Sequence, residues 1–267
     1  MLAVGIIGYG TIGRVVARAL DAGIDGMRLA AVATGRRDKA AAAMAELAQP
    51  VEIMSIAAVA DCCDIVVDCA PKAVFRDIAE TALGRGRILV TVSGAGILAN
   101  PDIEDLARDN GGRVILATGA LLGLDAVRAA AEGQINEVRM ITRKPPNALK
   151  NAPHIIDNDI NLDGLNGAVK VFEGSAREGA MAFPANVNVA AALGLAGVGA
   201  DATRLEVWAD PHLQRNTHAI EVDADSARFT LNIENVQSPE NPGTGTITAL
   251  SVIACLRGMT APMKIGS

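Results

Sequence analysis

The stretch LAVGIIGYGTIGRVVARAL, residues 2–20, decides how the rest of the chain is read. An apolar run over 2–7 meets Gly8-Tyr9-Gly10-Thr11-Ile12-Gly13, and apolar residues then recur at helical spacing at Val15, Val16, Ala19 and Leu20. The order predicts a strand, a glycine turn and a helix. Gly8 permits the tight turn, Gly10 lets a pyrophosphate approach the backbone, and Gly13 lets the helix pack closely on the strand. The helix start supplies free N–H groups and partial positive charge, so Thr11 and Ile12 join the three glycines as expected cofactor contacts. A G-x-G-x-x-G run alone is weak evidence. Between an N-terminal strand and an amphipathic helix it points to a dinucleotide site.

Beyond this entry, RLAAVAT (28–34), CDIVVDCA (63–70), RILVTVSG (87–94) and GRVILATGA (112–120) read as further strands separated by helical segments. Such alternation predicts a doubly wound α/β sheet, with ligands lying outside the carboxyl ends of its strands. Ala70, Pro71, Ser93 and Ala120 are therefore expected near the cofactor. After the second strand an NAD-specific site carries an acidic residue for the ribose 2′-hydroxyl. Here the chain reads Thr34-Gly35-Arg36-Arg37. Arg36 or Arg37 can pair with a 2′-phosphate, so NADP is expected to be accepted as well as NAD.

From Leu121 the rhythm changes. LLGLDAVRAAAEG (121–133) reads as a helix, and NEVRMITRK (136–144), RLEVWAD (204–210), THAIEVDA (217–224) and ARFTLNIEN (227–235) alternate with period two. This predicts a second, α+β domain with an open, mostly antiparallel sheet. A single helix between its strands is expected at FPANVNVAAALGLAG (183–197). The segment NPGTGTITALSVIACLRG (241–258) reads as a capped helix returning to the first domain. The expected division is 1–120 completed by 241–267, and 121–240.

The 267 residues are 50% hydrophobic and only 2% aromatic, which suits buried parallel strands and closely packed helices. A formal net charge of -6 with no basic block argues against nucleic acid as a partner. No apolar run approaches the ~20 residues that cross a bilayer, and no signal peptide is read at the start, so a cytoplasmic protein without a membrane partner is expected. Cys62, Cys63, Cys69 and Cys255 show no CxxC spacing. Neither a metal site nor a disulfide framework is expected.

His218, beside Asn216-Thr217 at the start of an alternating run, reads either as a strand-edge side chain in water or as an acid/base. His154 and His212 are isolated and read as surface residues.

The segments GIIGYGTIGRVVA, ATGALLGLDA, VFEGSAREGAMAFPANVNVAAAL, ADPHLQRNTHAIEV and NPGTGTITALS resemble the L-aspartate dehydrogenases over essentially the whole chain. The resemblance implies a Rossmann domain joined to an open-sheet catalytic domain, in a homodimer. It also implies NAD(P)-linked oxidation of L-aspartate to iminosuccinate, which hydrolyses to oxaloacetate and ammonia or feeds NAD biosynthesis through quinolinate. By position it assigns the catalytic histidine to His218 and nicotinamide-side contacts to Ala120 and Asn188. One departure is Gly243 and Gly245 where many relatives carry Lys and Ser.

The chemistry asks for such residues. Hydride leaves Cα readily only when the nitrogen lone pair is free, so a base must take an ammonium proton, and a histidine with a reference pKa near ~6.5 suits neutral pH. Two buried carboxylates require cations or N–H donors, for which Arg143, Lys144, Asn216 and the backbone around Thr244 at a helix start are candidates. Asn186 and Asn188 lie two apart in a helix, so at most one reaches the site directly. The rivals are another reductase of aspartate-derived amino-acid pathways and a catalytically silent NADP-binding sensor or scaffold.

Overall fold

The computed structural model describes residues 1–183 and 188–266. Two compact units divide the chain: 1–117 with the C-terminal stretch from Thr248 onward, and 118–247.

The first unit alternates β1 (Leu2–Ile7), α1 (Thr11–Ala22), β2 (Met27–Ala33), α2 (Arg37–Met44), β3 (Glu52–Met54), α3 (Ile56–Cys62) and β4 (Ile65–Asp68). It continues with α4 (Phe75–Leu83), β5 (Ile88–Thr91), α5 (Gly94–Ala99), α6 (Ile103–Asp109) and β6 (Arg113–Leu116). Every strand pairing is parallel, in the order β3-β2-β1-β4-β5-β6. A parallel sheet is covered on both faces, so successive residues of one strand must be apolar. Val4, Ile6, Ile65 and Val67 pack in one cluster with Val16, Ala17 and Leu20 of α1 and with Val252 and Leu256. Ile7, Ala31 and Val66 pack in the other with Val59 of α3 and Phe75, Ile78 and Leu83 of α4. The three-residue β3 is too short to announce itself by periodicity and was not anticipated.

The second unit contains α7 (Leu124–Ala131), β7 (Ile135–Lys144), α8 (Pro153–Asp157), β8 (Val169–Ser175), α9 (Ala176–Ala182), α10 (Asn188–Ala196), β9 (Arg204–Ala209), β10 (Thr217–Ala224) and β11 (Arg228–Glu234). A ribbon of β12 (Gln237–Ser238) and β13 (Asn241–Gly245) follows, and then α11 (Thr246–Thr260). The sheet order is β11-β10-β7-β9-β8, with β7 and β9 parallel and the other pairs antiparallel. The alternation read in the sequence is the alternation of burial: in β10, His218, Ile220 and Val222 point inward.

Three differences from the sequence expectations have local causes. The single helix between the strands is accompanied by α8 and α9. The start of α9 is marked by a capping box in which Ser175 Oγ accepts from the Glu178 N–H at 3.1 Å and Glu178 Oε2 accepts from the Ser175 N–H at 2.7 Å. The expected strands also omit β8, which ends in that box. The segment NPGTG is not a helix start but β13, paired with β12, and α11 opens two residues after Thr244. Gly243 and Gly245 each cost about 1 kcal/mol in a helix relative to Ala; Gly245 instead pairs with Gln237, and the Gly243 N–H is donated to Asn241 Oδ1 at 3.2 Å.

Candidate active site

The parallel sheet reverses strand order between β1 and β4, which opens a crevice at their carboxyl ends. Gly8 turns the chain there at φ +94°, and a Cβ on it would lie 2.5 Å from the Cys69 carbonyl. A Cβ on Gly13 would lie 2.0 Å from the Gly8 oxygen, so α1 is seated directly on the turn. At Gly10 an added Cβ would meet only Arg36 Nη2, at 3.9 Å. The first intrahelical bond runs from the Arg14 N–H to Gly10 O at 3.0 Å, leaving the N–H groups of Thr11, Ile12 and Gly13 without intrahelical acceptors. Open space over a glycine, free N–H groups and a guanidinium at the edge fit a pyrophosphate. Arg36 itself is exposed, and its N–H is donated to Thr34 Oγ1 at 3.3 Å.

One residue here was missed in the sequence. Asp68 ends β4 and is 2% exposed. Its Oδ1 accepts from the Ala70 N–H at 3.0 Å and its Oδ2 from the Thr91 hydroxyl at 2.8 Å. Thr91 Oγ1 in turn accepts from the Ser93 N–H at 2.9 Å. The loops after β4 and β5, which carry Ala70, Pro71 and Ser93, are thus tied through one carboxylate. Burial pushes that carboxyl up to about 6, although both hydrogen bonds favour the ionised form. The available signal was an acid closing an otherwise apolar IVVD strand.

In the second unit, His218 is 3% exposed, so the strand-edge alternative does not hold. It stands opposite Thr142 on β7 and Ile233 on β11, and its Nδ1 lies 3.1 Å from Thr142 Oγ1. Two residues along β7, on the same inward face, Lys144 is 5% exposed. Asn216 directly precedes β10, two residues before His218. Asn216 Oδ1 is buried and has no hydrogen-bond partner among the described residues. The Asn216 carbonyl accepts from the Asn235 N–H at 3.0 Å, and the Asn235 side chain donates to the Ala120 carbonyl at 3.3 Å. Thr142, Lys144 and His218 thus form a buried polar patch on one sheet face, with the half-buried Asn216 and the Ala120 loop tied to its edge.

The electrostatics correct one expectation. Burial first, and the Lys144 charge second, hold His218 down at about 3 rather than near its reference value. The imidazole is neutral at neutral pH. Burial also pushes Lys144 down to about 8, which leaves it mostly cationic there.

Arg143 and Thr244 do not take the places expected of them. Arg143 projects from the other face of β7, stacked 5.2 Å from the Trp208 ring centroid and 4.0 Å from Asp210, because neighbouring strand residues alternate faces. Thr244 lies in β13, where its hydroxyl accepts from Asn241 Nδ2 at 3.1 Å, so it offers no helix-start N–H groups. Asn188 is exposed at the first position of α10, and Asn186 lies outside the described residues. His154, expected at the surface, is half-buried in α8, with Nε2 3.0 Å from the Val171 carbonyl and its ring against Phe172 and Phe183. The His212 ring lies 3.3 Å from the Asn166 carbonyl on an exposed turn.

Residues 125–259 match the family described as aspartate dehydrogenase, C-terminal, and residues 8–117 that described as homoserine dehydrogenase, NAD binding domain. The chain is 53% identical to an L-aspartate dehydrogenase of Bradyrhizobium diazoefficiens, covering 100% of this chain and 94% of that one. It is 45% identical to L-aspartate dehydrogenase 3 of Bordetella bronchiseptica, over 100% and 98% of the two chains. The crystal structure of an aspartate dehydrogenase from Thermotoga maritima superposes with a TM-score of 0.75 at 22% identity, covering 100% of both chains. At that identity the likeness speaks for the fold.

Proposed function

This chain belongs to the L-aspartate dehydrogenase family, and from that membership and its buried Thr142–Lys144–His218 patch, with Asn216 at the edge, we infer that it is an NAD(P)-dependent oxidoreductase acting on L-aspartate. The reaction takes L-aspartate and oxidised cofactor to iminosuccinate, reduced cofactor and a proton, and runs in reverse as reductive amination. The observation that carries the reading is a buried cation and a neutral buried imidazole on one sheet face, with an acceptor nearby that has no donor among the described residues.

Each group has a task that its chemistry suits. Lys144 holds a substrate carboxylate, because a buried ammonium gains most from an anion brought against it. Asn216 Oδ1 accepts an N–H of the substrate nitrogen, which satisfies an otherwise orphaned atom. His218 takes the ammonium proton at Nε2, which requires that Nδ1 carry its hydrogen and donate it to Thr142 Oγ1. A carboxylate beside Lys144 offsets the charge that depresses His218, so substrate binding raises the proton affinity of the base when it is needed. The oxidised nicotinamide, when bound, accepts the hydride leaving Cα.

In the first unit, Gly8, Gly10, Thr11, Ile12 and Gly13 hold the pyrophosphate, Ala70, Pro71 and Ser93 border the nicotinamide half, and Arg36 faces the adenosine ribose. Ala120 and Asn188 complete the nicotinamide contacts by family position. With Thr34-Gly35-Arg36-Arg37 rather than an acid directly after β2, both NAD and NADP are accepted. The same reading makes the enzyme a cytoplasmic homodimer whose iminosuccinate hydrolyses to oxaloacetate and ammonia or feeds quinolinate formation.

The deciding assay follows reduction of NAD and NADP with L-aspartate, using L-homoserine, L-glutamate and L-alanine as controls. Reduction with aspartate alone is expected. His218→Ala should then lower turnover by about 10²-fold or more at similar cofactor affinity. A protein that binds both cofactors yet turns over none of the four amino acids would overturn the reading.

A further inference from the structure

Among the described residues, the groups that flank or hydrogen-bond the Asp68 carboxyl are uncharged. Ile7 of β1 and Thr91 of β5 flank it in register, and Ser93 is reached through Thr91. The neighbouring Cys69 thiol is pushed up by burial and stays protonated, while Lys72 is exposed. Desolvation and the hydrogen bonds from Ala70 and Thr91 account for its behaviour, with no cation among the causes. An ionised carboxylate buried without a cation is a standing cost to the fold. An asparagine would accept the Ala70 N–H, but its amide nitrogen could not accept from the Thr91 hydroxyl, so the strap uses both carboxylate oxygens. The strap brings no cation to offset the charge.

Its place in the sheet suggests what does. Asp68 is at the carboxyl end of β4, beside the reversal of strand order, in the half of a doubly wound sheet that takes the second mononucleotide. The second mononucleotide of this cofactor carries the nicotinamide, whose ring is cationic when oxidised and neutral when reduced. We propose that Asp68 is a specificity-determining residue whose buried negative charge favours the oxidised cofactor over the reduced one, while its hydrogen bonds position the loops after β4 and β5. It acts through space in a poorly screened environment, so direct contact with the ring is not required. The inference rests on the reading of the first unit as a nicotinamide dinucleotide site.

The test is equilibrium titration of the full-length protein and of Asp68→Asn with NAD⁺, NADH, NADP⁺ and NADPH, at about pH 8 and about pH 5, on either side of the Asp68 titration. In the unaltered protein the ratio of the reduced-form Kd to the oxidised-form Kd should be about tenfold larger at the higher pH. Asp68→Asn should show the lower ratio at both pH values. A purely structural role would change the variant's melting temperature but not this ratio. Equal ratios in the two proteins, or a ratio in the unaltered protein that ignores pH, would overturn the proposal. Should Asp68→Asn not fold, the pH arm on the unaltered protein decides alone. Failure of all four nucleotides to bind would overturn the dinucleotide reading itself, and this inference with it.

Discussion

A single step along β7 separates a side chain that belongs to the candidate site from one that does not. Arg143 and Lys144 are adjacent cations, equivalent by composition, yet only Lys144 shares the inward face with His218. Lys144→Gln should raise the KM for aspartate by about 10- to 100-fold, the effect of losing a buried charge-assisted contact, whereas Arg143→Gln should change it less than about threefold. Steady-state kinetics on the two variants separates the roles, and equal effects would place substrate elsewhere. Thr142 acts through His218 as a positioning residue. Thr142→Val should cut kcat by about tenfold at unchanged KM and cofactor affinity, with Thr142→Ser restoring it, because only a hydroxyl can fix the ring tautomer. His218 and Lys144 were legible as candidates in the sequence. Thr142 was not, because a threonine in a strand is ordinary and its meaning comes from the residue opposite.

At the scale of elements, the turn between β1 and α1 is the most constrained feature of the first unit. Gly13→Ala would place a methyl 2.0 Å from the Gly8 oxygen, forcing α1 off the strand whose turn it rests on. We expect a stability loss of about 1–3 kcal/mol in denaturant titration, and cofactor affinity reduced by at least about tenfold, since the helix N-terminus and the glycine cradle move apart. Unchanged affinity would mean that α1 does not position the phosphates. Elements with a strong period or a fixed turn chemistry, such as β1, α1 and β10, could be read from the chain. The ribbon β12–β13 could not. Its glycines disfavour a helix only weakly, and the pairing partner that decides the matter lies outside the segment.

For the whole molecule, three buried ionisable groups make stability depend on pH in opposing ways. Asp68 is raised from 3.8 to about 6 on folding, so its favourable contribution is present below about pH 4 and lost as pH rises to about 6. His218 is lowered from 6.5 to about 3, so its contribution is complete above about pH 6.5 and lost as pH falls. Lys144, lowered from 10.5 to about 8, adds stability only as pH rises between those values. Between about pH 4 and 6 the first two partly cancel. Melting temperatures in that window should therefore climb more steeply with pH in Asp68→Asn than in the unaltered protein, and less steeply in His218→Gln. Parallel profiles for all three proteins would show that these groups do not titrate with folding.

By itself the sequence determined the strand–glycine turn–helix entry, the change of rhythm after residue 120, and which strand positions face inward, because these rest on short-range periodicity and backbone freedom that neighbouring residues carry. Only the tertiary structure decided that Thr142 meets His218 across 76 residues of chain, that Lys144 rather than Arg143 joins them, and that Asp68 ties two loops together. Strand register and burial are long-range choices. They set each group's neighbours and its dielectric surroundings, and from those come the proton affinities on which the chemistry depends.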